Sequence, residues 1–160
     1  MKIGVVSDSH GKHKMIDWML AHPAASEAEM WFFAGDVAQD AEYLLMMSDK
    51  PVVKVAGNND WPVSKIPEES VTDVAGHRIF LTHGHTYGVN FTTDILEKTA
   101  REVKADIAIY GHTHIADINL GEITIVNPGS IAMPRDASRG SFMVIELLPA
   151  KTPNVKLIRI

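Results

Sequence analysis

The sequence predicts an α/β fold, and three features predict it. Apolar runs of strand length alternate with helix-length amphipathic runs through the first half, as in a parallel sheet with helices packed on it. Glycine-centred hairpin signals recur in the second half. No stretch is repeated, low in complexity or linker-like, so the 160 residues read as one domain over 1–160. That length can bury roughly two-thirds of the unfolded surface.

The elements follow in order. Residues 2–7 read as a buried strand. Residues 14–22 read as a helix with Met15, Trp18, Met19 and His22 on one side, ended by Pro23. Residues 30–34 form a second apolar strand, and Asp40 caps a helix reaching Met47, with Glu42 in its first turn. Residues 51–56 are a third strand, and 61–70, with Pro62 and Pro67, an ordered loop. Residues 71–75 and 78–82 form a hairpin around Gly76-His77. Thr92 or Thr93 caps a helix to Lys104, with Ile95, Leu96, Thr99, Ala100 and Val103 at helical spacing. A strand at 105–110 follows, then a hairpin of 115–119 and 123–126 about Gly121, then closing strands at 141–147 and 155–160.

Composition narrows the function. With no cysteine, thiol catalysis and cysteine zinc sites are excluded. The formal charge is −5 and there is no basic block to neutralise a phosphate backbone, so nucleic acid is disfavoured as a partner. The apolar start turns polar at Ser7-Asp8, too soon for a signal peptide, and no run is long enough for a membrane helix. A cytoplasmic protein without membrane attachment is the expectation.

Five strand-to-loop junctions carry residues that could bind metal: Ser7-Asp8-Ser9-His10-Gly11, Gly35-Asp36-Val37, Gly57-Asn58-Asn59-Asp60, Thr82-His83-Gly84-His85 and Gly111-His112-Thr113-His114. Open α/β sheets place their sites at the carboxyl ends of strands, so the first three should share one edge. If extended geometry persists past 107–110, His112 and His114 point the same way. Each junction alone has an ordinary explanation: Asp36 as a turn residue or helix cap, Asn58 in a left-handed turn, Asp60 as a turn cap. Five coinciding is another matter, and five of the eight histidines fall in them. His13, His22 and His77 read as structural or surface residues.

In order, these motifs resemble those of the calcineurin-like metallophosphoesterases, and Asn127-Pro128-Gly129-Ser130 is similar to the small prokaryotic phosphodiesterase branch. The resemblance implies a four-layer αββα sandwich, two mixed β-sheets flanked by helices, with a binuclear metal centre at one edge. It puts Asp8, His10, Asp36 and His114 on one metal and Asp36, Asn58, His83 and His112 on the other, Asp36 bridging. Mixed imidazole, carboxylate and amide ligands suit manganese, the first expectation, or iron, cobalt, nickel or zinc, better than magnesium or calcium. The implied activity is hydrolysis of a small phosphodiester by a metal-bridging hydroxide. A phosphomonoesterase and a non-catalytic scaffold of the same fold are the alternatives.

One position departs from the family pattern: Asn59 stands where most members have a histidine taken to assist the leaving group. An amide donates a hydrogen bond but gives up no proton near neutral pH. His85 is the candidate substitute acid, Asn58 and Arg135 the candidate substrate contacts, with Arg135 otherwise a solvated loop charge beside Asp136. A small phosphorylated substrate and a homo-oligomer are the expected partners.

Overall fold

Alternation along the strands decides the architecture of the computed structural model, which describes residues 1–60, 65–137 and 139–160. In β1 (Lys2–Val6), Ile3 and Val5 enter one buried cluster while Val6 enters another. In β2 (Met30–Phe33), Phe32 joins the first and Trp31 and Phe33 the second. Gly4 of β1 is what lets the Trp31 ring lie flat there, since a Cβ at Gly4 would meet it at 2.3 Å. With β3 (Val52–Lys54) parallel to β2, and β9 (Ser141–Glu146) and β10 (Asn154–Arg159) added antiparallel, the first sheet runs β10-β9-β1-β2-β3.

The second sheet runs β4-β5-β6-β8-β7, from β4 (Glu69–Val74), β5 (His77–Thr82), β6 (Ile107–Ile109), β7 (Ala116–Leu120) and β8 (Thr124–Pro128). Ile79, Leu81, Ile107, Ile109 and Val126 face the first sheet and complete the inner cluster. Phe80, Ala108 and Ile125 face outward, onto Leu96 and Ala100 of α4 (Asp94–Glu102). The outer face of the first sheet is covered by α1 (His13–Ala21), α2 (Pro23–Ser26) and α3 (Ala38–Ser48) through Ile16, Met19, Ala24, Ala41 and Leu44. Helices, sheet, sheet, helix: the four-layer sandwich is present. Each large apolar side chain so buried contributes ~1.5–3 kcal/mol.

Local expectations fail in places. Pro23 ends α1, whose C-cap His22 is extended, but it also opens α2, whose Ala24 amide donates to Nδ1 of His22 at 3.1 Å. Trp18 lies outside the core, 52% exposed, with Lys14 Nζ 4.9 Å over its ring. Asp40 is not the cap of α3, which begins after Val37; it sits buried inside the first turn. Ile95 is exposed, and α4 buries a narrower face than its spacing suggested. A 3-10 turn at His85–Tyr87 was not foreseen. Of the loop expected over 61–70, residues 61–64 lie outside the described residues, and β4 takes its end.

Candidate metal centre

Parallel β1, β2 and β3 end together, so their carboxyl-terminal loops converge. Asp8 N–H donates to Gly35 O (3.1 Å) and His10 N–H to Asp36 O (3.3 Å), which ties the first loop to the second. The other sheet brings its loops to the same rim: His83 Nδ1 lies 2.7 Å from Ala34 O, and Gly111 N–H donates to His83 O at 3.0 Å. All five junctions meet there.

Two groups of ligand atoms result. In one, His114 Nε2 lies 3.2 Å from Asp8 Oδ1 and 3.1 Å from His10 Nε2, and His10 Nε2 is 3.9 Å from Asp8 Oδ1. In the other, His83 Nε2 lies 3.6 Å from Asp36 Oδ2 and 3.0 Å from Asn58 Oδ1, and His112 Nδ1 lies 3.0 Å from the same amide oxygen. Asp8 joins the two, its Oδ1 being 3.9 Å from His83 Nε2 as well. Among the described residues, both three-residue groups of histidine and carboxylate that could hold an ion, Asp8-His10-His114 and Asp8-Asp36-His83, contain Asp8. Asp36, the residue the resemblance made the bridge, stands on the His83 side.

His112 and His114 diverge rather than pointing the same way. β6 ends at Ile109, and both histidines take left-handed backbone, φ 69° and 60°. Asp8, His10 and Asp36 do the same at 56°, 48° and 47°. Such conformations cost of order 1–3 kcal/mol each and persist where the surroundings enforce them, characteristically at functional sites.

The donor set fits a divalent cation on one observation in particular. Asp8 is fully buried, yet its Oδ1 has no hydrogen-bond partner, an expense of ~1–3 kcal/mol that a bound cation would remove. Its Oδ2 is satisfied, by the Ser7 hydroxyl at 2.5 Å and His112 N–H at 3.1 Å. Burial pushes the Asp8 carboxyl up, but the His114 and His83 imidazoles and the Ser7 hydroxyl outweigh it and hold it below the usual carboxylate range. His83 and His114 each turn Nδ1 to a carbonyl, Ala34 O and Met133 O (2.8 Å), which leaves Nε2 bare toward the cluster. The carboxylate of Asp8 raises the His114 pKa despite burial, whereas burial, with the nearby His83, lowers that of His112.

Glycines shape the cradle. A Cβ on Gly57 would stand 1.9 Å from Asp36 Oδ1, and one on Gly111 2.1 Å from Ser7 Oγ. Asn59 is committed to this cradle: its backbone N–H donates to Asp36 Oδ1 (3.1 Å) and its side-chain amide to Oδ2 (2.6 Å). Asp60 is the turn cap, accepting from Gly57 N–H at 2.7 Å and also from Ala38 N–H at 2.6 Å, the first residue of α3. His85 sits 6.2 Å from His112, ring to ring, with a buried, unpartnered Nδ1. Burial lowers its pKa. The Arg135 backbone donates to His114 O at 3.0 Å, and its side chain is exposed.

Sequence reasoning missed several supports. Asp40 accepts from the Ser9 hydroxyl (2.5 Å) and Gly11 N–H (2.8 Å) and holds His13 at 2.9 Å, so it fixes the loop carrying His10. Asn127 donates to Gly111 O (2.9 Å) and Thr113 Oγ1 (3.0 Å), and the Ser130 hydroxyl donates to Asp8 O (2.8 Å). Both belong to the Asn127–Ser130 motif, which was the available signal; nothing in the sequence marked Asp40 beyond its helical position.

A sequence profile described as the calcineurin-like phosphoesterase superfamily domain matches residues 1–148. The probable metallophosphoesterase YsnB of Bacillus subtilis is 28% identical over 149 residues, covering 92% of this chain and 85% of the relative. Phosphodiesterase YfcE of Escherichia coli is 29% identical over 170 residues, covering 91% and 88%. Among solved structures, Vps29 of Entamoeba histolytica complexed with zinc superposes with a TM-score of 0.77 at 22% identity, covering 100% of this chain and 98% of that one, a likeness of fold.

Proposed function

We propose, from the premise that this chain belongs to the calcineurin-like phosphoesterase superfamily, a family of metal-dependent phosphoesterases, that it is a phosphodiesterase for small substrates using two divalent metal ions. The observation that carries this is the buried, unpartnered Asp8 Oδ1 between two adjoining sets of imidazole, carboxylate and amide donors. Asp8, His10 and His114 would hold one ion, and Asp36, Asn58, His83 and His112 the other. The donor chemistry favours manganese, iron, cobalt, nickel or zinc. When bound, such ions lower the pKa of water toward ~7 and take up phosphoryl charge.

The chain's own residues supply geometry. Ser7 and the His112 amide fix the Asp8 carboxylate; Asn59 fixes that of Asp36; Asp40 and Asn127 fix the two loops that carry His10 and the His112–His114 turn. These contacts pre-position charge before substrate arrives, so little reorganisation accompanies reaction. The Asn59 amide is spent on Asp36, which leaves His85 as the candidate among the described residues for protonating the departing alcohol. The diester assignment draws support from the name of the YfcE relative.

The test is direct. Protein stripped with chelator and reloaded with manganese or zinc should hydrolyse bis(p-nitrophenyl) phosphate faster than p-nitrophenyl phosphate. Faster monoester hydrolysis makes it a monoesterase, and metal-loaded protein inert on both contradicts the enzyme reading.

A further inference from the structure

A cleft of ≈ 280 Å³ opens beside the His112–His114 turn, lined by Val89, Asn90, Tyr110, Thr113, Asp117 and Arg135 among others. It adjoins the candidate metal centre at three points. Asn90 Nδ2 contacts His112 Nε2 at 3.2 Å, Thr113 lies between the two histidines, and Arg135 binds His114 through its backbone.

Two opposite charges line this cleft without meeting. Neither Arg135 nor Asp117 forms an ion pair with any described residue, whereas the adjacent Asp136 takes Arg159 at 2.7 Å. Asp117 is held from behind by the Tyr110 hydroxyl, which donates to Oδ2 at 3.2 Å. That leaves Oδ1 and the remaining lone pairs of Oδ2 open. Burial beside Asp117 raises the Tyr110 phenol well above its usual range, so it stays a donor at any ordinary pH.

The geometry points to the cleft as the subsite for the substrate's non-reacting ester arm, with Asp117 selecting an arm that ends in an ammonium group and Arg135 attending the phosphoryl oxygens. This rests on the phosphoesterase reading of the adjoining metal centre. An anion near His114 and a cation near Asp117 match a phosphodiester whose organic arm is positively charged, and a hydroxyl-ended arm matches less well because it brings only a neutral donor. Val89 gives the arm's methylene groups an apolar wall.

Two measurements test it. Metal-loaded protein is offered p-nitrophenyl 3-aminopropyl phosphate and p-nitrophenyl butyl phosphate, which share a leaving group and differ only in the arm's end. The amino arm should be preferred about tenfold in kcat/KM, as a charge-assisted hydrogen bond implies, and Asp117→Asn should bring the ratio near one. Binding of 3-aminopropylphosphonate and butylphosphonate is then measured by calorimetry on the same proteins. The same Asp117-dependent preference should appear there, and Arg135→Gln should weaken both ligands alike. Hydrolysis of both diesters at equal kcat/KM overturns the assignment of the cleft and leaves the phosphoesterase reading standing. Asp117-dependent preference among the phosphonates, with no hydrolysis of any diester, overturns the phosphoesterase reading and leaves the cleft's selectivity.

Discussion

Gly57→Ala should damage the site directly, because its methyl group enters the space of a candidate ligand. The new Cβ would lie 1.9 Å from Asp36 Oδ1, 2.7 Å from Asp36 N and 2.8 Å from its carboxyl carbon. Ordinary contact begins at 3.4 Å, so a gap of about 1.5 Å must open, partly against backbone. If Asp36 yields, it leaves the Asn59 amide (2.6 Å) and the Asn59 backbone N–H (3.1 Å), each a bond to a carboxylate worth ~1.5–3 kcal/mol. If the backbone yields, overpacking costs ~1–3 kcal/mol. One bond plus overpacking gives about 2.5–6 kcal/mol, a fall in Tm of about 5–24 °C for a chain of this length. Thermal unfolding of metal-free protein reads the stability, and a metal titration of the same sample reads the site. Gly121→Ala is the control, because its Cβ meets nothing nearer than 3.5 Å and its change should stay within ~0.5 kcal/mol. Gly57→Ala with wild-type Tm and wild-type metal affinity would refute the cradle.

Further outcomes follow from the same contacts. Ser7→Ala removes the hydroxyl on Asp8 Oδ2 and should cost ~10–100-fold in metal affinity while substrate KM at saturating metal changes little; unchanged affinity in a metal titration would remove Ser7 from the site. Metal affinity should rise with pH, because His114 must shed a proton to become a ligand and Asp8 raises its pKa; calorimetric titrations that agree at pH 6 and pH 8 would contradict this. Rates on aryl phosphodiesters should depend steeply on leaving-group pKa, and Asn59→His should help poor leaving groups more than good ones while loosening Asp36, seen as weaker metal binding; a flat dependence in the parent would show that a general acid is present after all. Gly4→Ala drives a methyl into the Trp31 ring at 2.3 Å and should lower stability by ~1–3 kcal/mol with metal affinity retained; a scan showing wild-type Tm would mean that the ring has room to move.

The succession of strands and helices was legible because hydrophobic periodicity is a local property, while the four layers followed only from the resemblance. Ile3 and Val5 against Val6, or Ile79 and Leu81 against Phe80, face opposite ways, but all are apolar, so the sequence marks these strands as buried without saying which face is inner. That the first three loops share an edge was legible too, since parallel strands end together and glycine marks each bend; that the other two join them followed only from the resemblance. What stayed hidden was non-local or depended on backbone hand. His112 and His114 part company because both adopt positive φ, which an extended reading cannot anticipate. That Asp8 also lies close to Asp36 and His83 is a matter of side-chain direction across two sheets, which no local pattern carries. Asp40 looked like a cap because acidic residues favour first turns, yet its carboxylate reaches across to Ser9 and Gly11. Asn59 looked like a weak stand-in for an acid, and its partner is a carboxylate distant in sequence.

The measurement that bears most directly on all of this is anomalous diffraction from crystals of protein loaded with manganese. Two peaks should appear, one within about 2.0–2.3 Å of Asp8, His10 and His114 and a second at the same range from Asp36, Asn58, His83 and His112. Peaks elsewhere, or none with Asp8 Oδ1 still solitary, would mean that these loops gather for some purpose other than holding metal.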